Sequence, residues 1–356
     1  MNNNYISRTL SLGLVAGVLA SCSLSDTTAQ TDSIRSNVKT EIASGNNQKA
    51  AELLDQALLK DKKAFGEKSE PVAKDYALIG ENLKAQSKTT EAQDYFQKSI
   101  DARRDVIKPG LLNLAESMNQ LGDSYVDQGK LADAETLLIQ AREIRKQNLP
   151  GNSLELAKSQ LSLGKLFLQG GVYPEAEKEL KQSLATFEAK VEKDDVRLAD
   201  ARTNLGSLYF AQGKYDQAEP LLKWALEIYK AGNPNSIDTA NGMNNLAELY
   251  RAKGRLNDAE KLYTDSIVIF EKEKRGGAKF ATVLNNKAVL YQSQKKYAEA
   301  EPLYKQSIKV YEDSVGKDSA EIANTLNNYA ALQKALGRNA EAAKLSQRAS
   351  RIIALN

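Results

Sequence analysis

The chain has 356 residues, 42% hydrophobic and 27% charged, enough for two ordinary domains or one elongated array. Lys and Arg number 49 against 46 Asp and Glu, interspersed without the basic stripe that a phosphate backbone requires, so nucleic acid is not an expected partner. Histidine, the commonest general base and metal ligand, is absent, and a helix-forming composition with seven prolines points to an all-α chain without catalytic, metal or cofactor chemistry and with no small-molecule substrate.

The chain opens "MNNNYISRTLSLGLVAGVLASCS": a polar stretch with Arg8, an apolar run from Leu10 to Ala20, then the only cysteine, Cys22. That run is too short to span a bilayer and reads as a signal peptide over residues 1–21. An ordinary cleavage site followed by an incidental cysteine, or a buried thiol, are the plainer alternatives; a lone cysteine in an exported chain has no intramolecular partner. Leu19-Ala20-Ser21-Cys22 resembles the bacterial lipobox, which implies cleavage before Cys22, a diacylglyceryl group on its sulfur and a third acyl chain on the new amino terminus. Several acyl chains hold firmly where one holds weakly. In that family Asp after the cysteine favours the inner membrane; here Ser23 favours the outer membrane, facing the periplasm, in a cell that has two. Residues 22–32, small and polar, are expected to form a lipidated, flexible tether, leaving residues 33–356 as the folded part.

From there the sequence repeats. Segments like "AEPLLKWALEIY" recur eight times, anchored on Ala50, Ala92, Ala134, Ala176, Ala218, Ala259, Ala300 and Ala342, spaced by 41 or 42 residues. Five residues before the anchors stand Gly45, Ser87, Gly129, Gly171, Gly213, Gly254, Lys295 and Gly337, where a helix would end in the left-handed conformation. Upstream, "QLGDSY", "NLGSLY" and "NLAELY" pair a Gly or Ala with an aromatic three residues later (Tyr125, Tyr209, Tyr250), and the seventh residue after every anchor is Ala or Ser. Each unit is therefore expected to be two helices packed through matched small and large positions. Ser69, Ser153, Ser236 and Ser319, followed by acids, are expected to cap the first helices, and Pro220 and Pro302 to sit in the first turn of second helices.

These residues resemble the tetratricopeptide repeat. The 42-residue period, "LNN.A.LY" and "AE.LY..S" are most similar to the lengthened, kinesin-light-chain-like type, although serine or another residue replaces the histidine of that family's loop. The resemblance implies an all-α, right-handed superhelical solenoid of about eight antiparallel helix-turn-helix repeats over residues 33–356, with first helices lining a concave surface.

On the first helices, Asn204, Asn245, Asn286 and Asn328 form one column, and Asn119, Asn244, Asn285 and Asn327 a second, one residue earlier. Asparagine suits a helix interior poorly, so its recurrence needs a reason. Each amide matches a peptide backbone whatever its sequence, or else bonds a neighbouring repeat; both readings stay open. In the resembled family the asparagine of the first column contacts bound peptide. Asp200, Asn241, Thr282 and Asn324 one turn earlier, and Ser207 and Glu248 one turn later, extend a groove with no Lys/Arg clamp, which suits an internal segment better than a free C-terminus.

At the far end Ile352, Ile353 and Leu355 either pack on another protein or a second copy, or are sealed by the polar "SQRASR". The single tryptophan, Trp224, shares its column with Gln56, Lys98, Gln140, Gln182, Asp265, Gln306 and Arg348, the expected solvent face of the second helix. It is a candidate outer-face anchor unless a neighbouring loop covers it. The expected function is a membrane-anchored scaffold or adaptor binding an extended segment or helix of another exported or envelope protein. The alternative is a structural or self-associating rod without a dedicated ligand.

Overall fold

The computed structural model describes residues 26–104, 110–273 and 276–355, so the expectations on residues 1–25, Cys22 among them, lie outside the described residues. Among the described residues there are sixteen helices and no strand, and no helix is long and apolar enough to cross a membrane. In chain order the pairs are α1 (26–43) with α2 (Asn47–Phe65), α3 (Glu70–Ala85) with α4 (Thr89–Arg104), and α5 (Leu111–Asp127) with α6 (Leu131–Asn148). Then follow α7 (Leu154–Gln169) with α8 (Tyr173–Lys190), α9 (Val196–Ala211) with α10 (Tyr215–Gly232), and α11 (Ile237–Ala252) with α12 (Leu256–Glu273). The last pairs are α13 (Gly277–Ser293) with α14 (Tyr297–Val315) and α15 (Ala320–Ala335) with α16 (Asn339–Leu355). The contacts divide the expected single array into two compact units, one up to Gly151 and one from Asn152, with α1–α6 in the first and α7–α16 in the second.

The predicted turns are where the repeat phase puts them. Gly213 and Gly254 take φ of 72° and 76°, and the two side-chain-bearing residues at this phase, Ser87 and Lys295, are forced into the same region at 63° and 60°. Second helices begin three residues before each alanine anchor, for example at Tyr215 for Ala218, so Pro220 and Pro302 lie inside α10 and α14, past the first turn where they were expected. All four predicted serines occupy N-cap positions, but only Ser153 and Ser236 accept an amide, at 3.2 and 3.1 Å. Ser69 instead donates to the Gly66 carbonyl and Ser319 bonds Glu321.

Inside each pair the small and large positions meet as expected. A Cβ on Gly206 would lie 2.8 Å from Leu222, and one on Gly122 would lie 2.6 Å from Leu138, so glycine there is a condition of close approach. The seventh residue after the anchor does more than stay small. Ser99, Ser183, Ser266 and Ser307 each donate to a buried first-helix carbonyl, of Ala73, Ala157, Ala240 and Ala281, at 2.7–2.8 Å. Between pairs, the aromatic residue of the first helix reaches back. The hydroxyls of Tyr209, Tyr291 and Tyr329 donate to Glu177, Glu260 and Glu301 of the preceding second helix, at 3.0–3.3 Å.

The expected flexible tether is corrected in part, since residues 26–32 are already helical. Thr31, fully buried, falls in register with the buried alanines Ala73, Ala115 and Ala157, which makes α1 the first helix of the first repeat. Its apolar stripe of Ile34, Val38 and Ile42 is thin, and α1 is fixed by Arg35 instead. That buried guanidinium donates to Asp75 at 2.8 Å, to Asp32 at 2.7 Å, to the Pro71 carbonyl at 3.1 Å and to Asp61.

Candidate functional site

In the second unit, successive first helices touch one another, α7 with α9, α9 with α11, α11 with α13 and α13 with α15. They approach more closely than successive second helices do, so the first helices line the inner side of this stack. In the first unit, α1, α3 and α5 border an open cleft of ≈ 550 Å³.

The amide columns come together on that inner side of the second unit and form a chain across three repeats. Asn328 Nδ2 donates to Asn285 Oδ1 at 3.1 Å, Asn285 donates to Asn286 at 3.3 Å, Asn286 donates to Asn244 Oδ1 at 3.1 Å, and Asn244 donates to Asn245 at 3.4 Å. Linkage between repeats is thus a real role of these residues. It does not exhaust them: a primary amide has two N–H donors and two lone pairs, and the chain uses one of each on Asn244, Asn285 and Asn286. Asn245 only accepts and Asn328 only donates.

The remaining predicted residues divide. Asn204 is half-buried and turns onto its own helix, donating to the Asp200 carbonyl at 2.8 Å, so it lies in the column but outside the chain. Asn241 is half-buried and Asn324 and Asn327 are exposed, with no hydrogen bond recorded among the described residues. Asn119, in the first unit, is fully buried and locked between Asp123, which it donates to at 3.0 Å, and Arg145, from which it accepts at 3.1 Å. Its environment removes it from any binding role.

Sequence reasoning missed what supports the groove from beneath. A buried second-helix side chain eleven residues after the anchor reaches the first-helix column that holds Asp200 and Thr282. Tyr229 donates to Asp200 Oδ1 at 2.6 Å, and the Tyr311 and Thr282 hydroxyls are 2.8 Å apart. Burial raises the Asp200 carboxyl above its ordinary range against the pull of the Tyr229 bond, and burial likewise raises Glu248 against the weaker pull of Arg251. The 29-residue spacing of these pairs is visible in the sequence, but nothing in it said that the two positions meet.

The cleft of the first unit uses the same columns with different chemistry. Asp32, Arg35, Lys39, Lys74, Glu81 and Glu116 border it, so the expectation of a nearly uncharged lining holds only for α9–α15 of the second unit, Lys158 and Lys165 of α7 standing on the same columns. Its floor includes Arg103, which donates to Glu70 through Nε and Nη2 at 3.0 and 3.2 Å and to Ser99 and Ser117.

Trp224 is half-buried, a correction to the exposed anchor, although six of the seven other residues in its column are exposed as expected. It is covered by a side chain and not by a loop: the Arg202 guanidinium of α9 stacks 3.1 Å from the ring centroid and pairs with Glu188 at 2.7 Å. At the far end Ile352 is fully buried and Ile353 is 60% exposed.

The tetratricopeptide repeat family model matches residues 113–189, 169–231, 197–272 and 279–353. No curated protein matches the chain in sequence. Among solved structures it is similar to BtubC (BKLC) from P. vanneervenii, at 26% identity and a TM-score of 0.50 over 63% of this chain and 90% of that one. It is also similar to the apo quorum sensor NprR from B. thuringiensis, at 17% identity and a TM-score of 0.65 over 91% of this chain and 87% of that one. A Rap protein complexed with competence and sporulation factor matches at 15% identity and a TM-score of 0.53 over 87% of this chain and 99% of that one. At such identities the latter two bear on the fold alone. Helix pairing, turn phase and the family match over more than half of its length agree: the chain belongs to the tetratricopeptide repeat family.

Proposed function

We propose that the protein is a membrane-tethered adaptor whose inner face in residues 152–356 holds an extended segment or helix of another exported protein. The lipobox-like Leu19-Ala20-Ser21-Cys22 supports the tether, and Ser23 favours the outer membrane over the inner one. Residues 26–43 are helical, so the lipid would be followed almost at once by folded protein.

The observation that carries the binding half is the amide chain of Asn244, Asn245, Asn285, Asn286 and Asn328. It pre-orients the side chains, so little conformational entropy is lost on binding, while Asn245, Asn285, Asn286 and Asn328, which are less buried than Asn244, each keep at least one donor for a peptide carbonyl. The same chain also favours a second reading, a structural ladder in a rod with no dedicated ligand. Replacing Asn245 and Asn286 together with alanine separates the two. The adaptor reading predicts loss of partner association with unchanged thermal unfolding; the rod reading predicts lowered stability with any association intact. Cys22→Ser tests the tether, with release from the membrane fraction expected.

A further inference from the structure

We infer that the inner face of α9, α11, α13 and α15 selects partner segments that carry a lysine or arginine side chain, received by Asp200 and Glu248. This rests on the reading of that face as the binding surface and adds what it prefers.

Four columns on these four helices face the groove: those of Asp200, Thr203, Asn204 and Ser207 and their equivalents in the three following repeats. Only two of these side chains are charged, Asp200 and Glu248, and both are acids. Neither has an ion-pair partner among the described residues. Asp200 accepts a neutral hydroxyl from Tyr229 at 2.6 Å, which brings it no counter-charge. Among the described residues Glu248 accepts no hydrogen bond, and its neighbour Arg251 acts on it through space without pairing; the buried Nε of that guanidinium has no hydrogen-bond partner among them either.

The other charged groups acting on Asp200 are Asp238, Lys165 and Lys279, of which none bonds it. Lys165, on α7, is already engaged elsewhere in the chain. Elsewhere this protein satisfies its partly buried acids: Glu219 is met by Lys223, Lys253 and Arg255, and Glu301 by Lys305 and Arg338, and these contacts pull both carboxyls down to about 2. Asp200 and Glu248 go the other way: burial raises both, and the cations that act on them, Lys165 and Lys279 on Asp200 and Arg251 on Glu248, do so through space without pairing. A half-buried carboxylate without a counter-ion gains most from a cation that arrives with a ligand. The amides of α11, α13 and α15 would hold the ligand backbone while the two acids hold its charge.

The test uses the full chain in detergent and a degenerate library of extended peptides, with bound pools sequenced against the input. Lys and Arg are expected to be enriched about fivefold at a preferred position, the equivalent of about 1 kcal/mol for one ion pair. Asp200→Asn with Glu248→Gln should abolish the enrichment while peptides are still captured, since both changes keep size and hydrogen-bonding capacity. Capture with no basic bias, or a bias that survives the double substitution, overturns the inference and leaves the groove standing, provided capture still depends on Asn245 and Asn286. Failure to capture peptides of any composition overturns both.

Discussion

The two units fill one buried slot in opposite ways. Eleven residues after the anchor, the second helices of the first unit carry Asp61, Arg103 and Arg145, and α8, α10, α12 and α14 of the second unit carry Phe187, Tyr229, Phe270 and Tyr311, all buried; the terminal α16 carries the exposed Ile353 instead. In the second unit the slot is packed by rings, with Tyr229 and Tyr311 spending their hydroxyls on the groove column. In the first unit each charge requires its own partner: Asp61 has Arg35, Arg103 has Glu70, and Arg145 has Glu116. One backbone thus tolerates two interiors, but they fail differently. Ring packing degrades with lost volume, whereas a charge network fails when a single member is removed and its partner is left uncompensated.

The largest effect should therefore come from breaking a network. Arg103→Met is expected to cost about 3–5 kcal/mol because Glu70, Ser99 and Ser117 lose their shared donor, and hydrogen exchange should show the loss confined to the first unit. Phe270→Ala should cost a similar ~3–5 kcal/mol, but in the second unit and by cavity formation. A loss of less than about 1 kcal/mol for Arg103→Met would mean that the buried network contributes little beyond packing.

The pH response should sharpen the contrast. Burial, opposed by Arg35 and reinforced by Asp61, pushes the Asp75 carboxyl up to about 7, above the ~4 of an unfolded chain. Between those values the folded state binds more protons than the unfolded one, so first-unit stability should fall as pH rises from about 4 to 7 and level off above it. Asp75→Asn should flatten that slope, as read from denaturant midpoints across the range; an unchanged slope would remove Asp75 from the account.

A smaller effect concerns Trp224. Removing the ring from beneath Arg202 strips a stacked cation and part of the core margin, so Trp224→Ala should cost about 1–2 kcal/mol in thermal unfolding. The smallest effect should be a gain. Lys295→Gly relieves a left-handed backbone and is expected to add up to about 1 kcal/mol, whereas the same change at a right-handed helix interior would subtract about as much.

Features set by spacing along the chain were legible in the sequence: the repeat period, the left-handed turns, the glycine that admits Leu222 or Leu138, and the columns of asparagine on the first helices. Features that depend on which side chains meet across a helix pair were not. The serine hydroxyls that hold first-helix carbonyls read only as "small", and the tyrosines that bond Glu177 and Glu260 read only as bulk. The first turns of helix α1, residues 26–32, were hidden because they are small and polar, and α1 is held by one arginine among acids more than by an apolar stripe. Trp224 was assigned to the right column, but the column alone could not reveal that Arg202 lies over it.

Binding at the amide face is the central claim, and site-specific photocrosslinking in intact cells tests it most directly. A photoreactive residue replacing Asn245 on the inner face should give discrete adducts with another exported protein, and one replacing Gln306, exposed on a second helix, should not. Adducts from Gln306 alone, or from neither position, would contradict it.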